Sequence, residues 1–105
     1  MPFTLVFTEE AESQLRTLEA NKSKDVAFKA VRKALGLLAL DPNYPSLNTH
    51  TYHALAKPSG EKVIESYAQN RTPGAYRIFW HYGPPGAHAE TGLQQITIIA
   101  IMPHP

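Results

Sequence analysis

The chain of 105 residues contains no cysteine, which removes disulfide scaffolds, cysteine-ligated zinc and thiol nucleophiles together. No apolar run approaches the roughly 18 residues that a membrane-spanning helix needs, so no membrane partner is expected. The opening segment, Met1 to Glu12, lacks the basic start, apolar stretch and small-residue cleavage site of a secretory signal, and the expected location is the cytoplasm. An excess of one charge is missing too: ten basic side chains meet nine acidic ones, for a net +1. So balanced a chain has no general electrostatic footprint for nucleic acid. No repeat, low-complexity tract or linker divides it, and its length suits a single domain, residues 1–105, around one core.

The charges are unevenly placed. Residues 1–21 balance to −3 (Glu9, Glu10, Glu12 and Glu19 against Arg16), and residues 22–33 to +4 (Lys22, Lys24, Lys29, Arg32 and Lys33 against Asp25). Pairing between two neighbouring helices explains this better than a phosphate-binding stripe. Phe3 to Phe7 is short, apolar and β-prone, and reads as a first strand. Thr8 is a candidate N-cap, followed by glutamates where a helix N-terminus favours negative charge. Ala11, Leu15 and Leu18 then give a narrow apolar stripe that stops near Asn21. A stronger helix starts about Ser23 or Lys24, with Phe28, Val31, Leu35 and Leu38 on one face. Asp41-Pro42 ends it, because the residue before proline is pushed out of the helical region. The short connection makes the two a helical hairpin.

Residues 41–60, with three prolines, read mostly as loop. Beyond them the hydrophobic period drops to two. Val63–Gln69 and Ala75–Tyr82 are strands, and Gln95–Met102 is a nearly continuous apolar strand suited to a sheet centre. Gly83–Gly92 has the composition of an exposed hairpin loop. In the middle strand Tyr76, Ile78, Trp80 and Tyr82 point one way, and Arg77, Phe79 and His81 the other. The expected fold is α+β, in the order β-α-α-β-β-β, with a helical hairpin on one face of a mainly antiparallel four-stranded sheet. Function is expected on the uncovered face, with Arg77, Phe79 and His81.

His50 and His53 have His-x-x-His spacing, and His81, His88 and His104 are also available. No acidic neighbour accompanies the pair, and neither a metal site nor a cofactor is expected. Arg77 lies mid-strand between large apolar neighbours, where a charge is costly unless it meets a partner. It is either a cross-sheet salt bridge to Glu65 or a phosphate clamp, since guanidinium donates two parallel hydrogen bonds to phosphate oxygens. His104, flanked by prolines, is either a solvated terminal imidazole or a general acid or base. Phe79 leads the aromatic residues able to stack on a nucleobase. Gly83-Pro84-Pro85-Gly86 lacks the strand–loop–helix context of a phosphate cradle and is a turn signal.

Three segments in this order carry a family resemblance: Pro45 to Leu55 (PSLNTHTYHAL), Tyr76-Arg77-Ile78-Phe79-Trp80, and an apolar closing strand running into His104. Together they resemble the RelE/ParE toxin superfamily over nearly the whole chain. The resemblance implies a small toxin with a cognate antitoxin protein. It implies further that nuclease members cut mRNA on the ribosome without metal, by attack of a ribose 2′-hydroxyl on the adjacent phosphate. Carried over by position, Arg77 takes the strand arginine and His104 the C-terminal catalytic histidine or its neighbour. Arg71 adds a phosphate contact. Phe79, His81 and His50 complete the candidate substrate-binding set, with His50 at a motif position that reads as structural before catalytic. The sequence departs from the pattern in having no lysine over Val63–Gln69, no tyrosine after the closing strand and little net charge. These departures keep a second expectation open, a non-nuclease member that binds protein, such as a ParE-like gyrase inhibitor, or an inactive solitary copy.

Overall fold

Thr8 decides where the first helix begins. Its Oγ1 accepts from the Ala11 N–H at 3.1 Å, capping α1 (Glu9–Ala20), and donates to the Ile99 carbonyl at 3.3 Å. One hydroxyl therefore closes β1 (Thr4–Phe7), opens α1 and ties both to the last strand. A 3-10 turn at Lys22–Lys24 follows, capped by the Asn21 side chain, and leads into α2 (Asp25–Leu40). After a second 3-10 turn at Pro45–Leu47 come β2 (His50–Thr51), β3 (Ile64–Tyr67), β4 (Tyr76–Tyr82) and β5 (Gln95–Pro103). The computed structural model describes residues 3–52, 62–83 and 95–104. His53, His88 and most of the expected Gly83–Gly92 loop lie outside them.

The architecture is α+β, with both helices against one face of the sheet. That sheet has five strands, in the order β1-β5-β4-β3-β2, rather than the expected four. The additional strand is the two-residue β2, too short to show alternation in a sequence otherwise rich in proline. β1 runs parallel to β5 and the other pairings are antiparallel, so the apolar β5 is interior, as its composition requires.

The main core lies between helices and sheet: Val31, Leu35 and Leu38 of α2 and Ala11 and Leu18 of α1 meet Ile78, Trp80, Ile96, Ile98 and Ile101. Each buried aliphatic or aromatic side chain here contributes roughly 1.5–3 kcal/mol. The charge expectation needs correction. Among the described residues the ion pairs of these two segments are Glu12–Arg16 and Asp25–Lys29, each inside one helix, because residues four apart share a helix surface.

Two local features set up the uncovered face. A bulge interrupts the β4–β5 ladder: Phe79 pairs with Ala100 but Trp80 with Ile98, leaving Ile99 as the additional residue. Beneath the sheet, a directed chain of hydrogen bonds links elements distant in sequence. The Trp80 Nε1–H donates to Ser66 Oγ (2.9 Å), Ser66 to Thr49 Oγ1 (2.8 Å), and Thr49 to the Pro42 carbonyl (2.6 Å). Each hydroxyl has one proton, and the terminal carbonyl can only accept, so the direction is fixed. The chain pins Thr49 beside Ser66 and thereby sets His50 alongside Glu65.

Candidate active site

The face away from the helices has a small apolar floor of Val63, Phe79 and Ala100, with Tyr52, Ile99 and Met102 packed against it. Glu65 of β3 projects onto this face, opposite His50 on β2 and Phe79 on β4. It is 1% exposed. Burying a carboxyl group costs several kcal/mol unless partners compensate, and here three groups surround it. His50 Nε2 lies 2.6 Å from Oε1, His104 Nδ1 lies 3.0 Å from Oε2, and Arg77 Nε lies 3.5 Å from Oε2. One buried carboxyl thus joins two imidazoles and a guanidinium contributed by three other segments of the chain.

Arg77 is held from several sides. Its Cζ lies 3.7 Å above the ring centroid of Tyr67, its cross-strand partner, and its Nη1 donates to the Gln69 carbonyl. Nε is buried without a hydrogen bond, and Nη2 has no described partner. The cross-sheet contact with Glu65 is present, diagonally rather than in register. His104 is anchored by its backbone N–H to the Ala75 carbonyl (2.8 Å), and its side chain is 47% exposed.

The remaining candidates separate. His50 belongs to the cluster, and its Nδ1 lies 2.6 Å from the Asn48 carbonyl. Phe79 does not serve as expected: it is fully buried, with the Tyr52 ring 5.0 Å away, so it presents no face to a base. The second apolar cluster, which residue alternation alone does not reveal, is the reason. His81 is buried on the same face with its Nδ1 3.0 Å from the Tyr82 carbonyl, and no described bond joins it to Glu65. Arg71 is exposed in the β3–β4 turn with φ 60°, and no described contact links it to the cluster.

In the sequence Glu65 reads only as a partner for Arg77, Tyr67 is one aromatic residue among several on two strands, and Tyr52 carries no signal of its own. The signal was available in the period of two, which puts Glu65 and Tyr67 on one face of β3. Among the described residues no group of three histidine or acidic side chains is placed to hold a metal ion, and no helix is long and apolar enough to cross a membrane.

No family model matches the sequence, and no curated protein does. Solved structures do. The structure titled as the YoeB dimer from Staphylococcus aureus superimposes with a TM-score of 0.58 over 100% of both chains, at 11% identity. The chain therefore shares the fold of that structure. Within this fold, Arg77 and His104 occupy one face and meet through Glu65.

Proposed function

We propose that this protein is a RelE-like toxin of a type II toxin–antitoxin pair, an endoribonuclease acting on ribosome-bound mRNA in the cytoplasm and restrained by an antitoxin protein. The observation that carries the reading is the shared carboxyl, with Arg77 and His104 on Oε2 of Glu65.

The chemistry follows from which atoms remain available. His104 gives Nδ1 to Glu65, and no described residue engages its Nε2. The proposed step begins when that Nε2 takes the 2′-hydroxyl proton. The 2′-oxygen attacks phosphorus, the bond to the 5′-oxygen breaks, and a 2′,3′-cyclic phosphate forms while the departing 5′-oxygen takes a proton from water. Arg77 Nη2 stabilises the charge that develops on the phosphate oxygens. Glu65 steadies the imidazolium formed on His104.

Programmed ribosomes with a reporter mRNA test this. Wild-type protein should give discrete cuts mapped by primer extension, and Arg77→Ala and His104→Ala should abolish them. The net charge of +1 favours a second reading, a protein-binding toxin without nuclease activity. Growth arrest with intact mRNA would select that reading, and unimpaired growth an inactive copy.

A further inference from the structure

Hydrogen-bond arithmetic distinguishes the two histidines bound to Glu65. The Asn48 carbonyl can only accept, so His50 Nδ1 carries a proton. His50 Nε2 and Glu65 Oε1, 2.6 Å apart, are both lone-pair atoms unless a proton lies between them. That proton belongs either to an imidazolium facing a carboxylate or to a carboxylic acid facing a neutral ring. In both arrangements Oε1 is committed, and Oε2 is left as an acceptor. His104 must then donate from Nδ1, which leaves Nε2 as its outward nitrogen. The groups facing Glu65 among the described residues are His50 from β2, Tyr67 from its own strand, Arg77 from β4 and His104 from the end of β5. Among these described residues only His50 reaches Oε1.

From this we infer that His50 is a positioning residue: by holding a proton against Oε1 it keeps Oε2 turned to His104 and sets the tautomer of the reacting imidazole. Both nitrogens of His50 are occupied, so it does not itself exchange protons with substrate. Its own orientation depends on Asn48, whose backbone at φ 46°, ψ 43° is left-handed at the end of the Pro45–Leu47 turn and presents the carbonyl to Nδ1. Asparagine is among the few residues other than glycine that adopt this conformation readily. The arrangement of carbonyl, imidazole, carboxyl and imidazole is one in which an orienting group fixes each member in turn.

The inference rests on the nuclease reading for its consequence, but its geometry can be tested without substrate. Protein labelled with 15N-histidine should show a protonated Nδ1 on both His50 and His104 in long-range 1H–15N spectra. In His50→Ala a proton held by the Glu65 carboxyl is no longer confined to Oε1 and can move to Oε2, so the Nδ1–H form of His104 should give way to a mixture of tautomers. His50→Gln, which can still donate to Oε1, should restore it. In the ribosome assay His50→Ala should lower kcat at least about tenfold with KM within about twofold, and His50→Gln should recover most of it. A His50 ring lacking the Nδ1 proton, or His50→Ala with both the His104 spectrum and kcat unchanged, overturns the inference. So does a rise in KM alone, which would make His50 a substrate contact. If the wild type cuts no RNA while the tautomer of His104 still follows residue 50, the positioning role holds and only the nuclease reading falls.

Discussion

The guanidinium carbon of Arg77 lies 3.7 Å from the ring centroid of Tyr67, the residue directly opposite it on β3. A flat cation on an aromatic face is attracted by the ring quadrupole, by about 1 kcal/mol in a partly desolvated setting. Tyr67→Leu should therefore lower kcat/KM about fivefold by loosening Arg77, whereas Tyr67→Phe, which keeps the ring, should stay within twofold. Cleavage kinetics on both variants check this, and equal losses would assign the effect to the phenol oxygen.

Glu65→Gln separates charge from shape. The substituted amide can turn its NH2 toward His104, where Nδ1 must then accept and the ring proton moves to Nε2. The reacting nitrogen would carry the proton it needs to collect. Loss of kcat on the order of 10²-fold to 10⁴-fold is expected with the fold retained, measured by single-turnover cleavage alongside circular dichroism.

Removing the carboxyl altogether is a stability experiment. Glu65→Ala leaves Arg77, itself only 8% exposed, as a buried unpaired charge. A cost of about 3 kcal/mol in urea unfolding is expected. Combining Glu65→Leu with Arg77→Leu should cost less than the two single changes added together, and a double-mutant cycle measures the difference.

Ser66→Ala breaks the chain that runs from Trp80 to Pro42. It strands a buried indole N–H and leaves Thr49 without its donor, so unfolding free energy should fall by about 1–3 kcal/mol. Since that chain also sets β2 beside β3, the His50 ring signals should shift in the same variant. An unshifted His50 would mean that β2 holds its place by other contacts.

Alkaline stability has one identified contributor. Burial, and secondarily the negative charge of Asp41, pushes the Tyr82 phenol above its ordinary 10.0. A group raised in the folded state contributes its full share below the unfolded value and loses it as pH climbs through the folded one. Unfolding free energy should therefore decline above about pH 10, and Tyr82→Phe should flatten that decline in a pH series of urea melts.

The elements that alternate or repeat over several turns were readable from residues alone. Thr8 marked the start of α1, Phe28 to Leu38 the buried face of α2, and Tyr76 to Tyr82 the two sides of β4. What escaped was whatever depends on contact between distant segments. His50–Thr51 becomes a strand only because Glu65 and Ile64 lie beside it. Phe79 looked free because its cover, Tyr52, comes from an irregular stretch 27 positions earlier. Arg77 and His104 were identifiable singly, while the carboxyl that unites them read as an ordinary salt-bridge partner.

Ile99 has a larger effect than its plain side chain suggests. In an uninterrupted ladder every even-numbered position of β5 would share the orientation of Ile96 and Ile98, toward the helices. The inserted residue puts the rest of the strand out of step, so Ile101 takes the inward place and the even positions beyond it swing outward. The terminal imidazole reaches Glu65 because of that half-period slip. The same sequence laid in a ladder without the bulge would carry His104 around to the helical side and leave the carboxyl with a single imidazole.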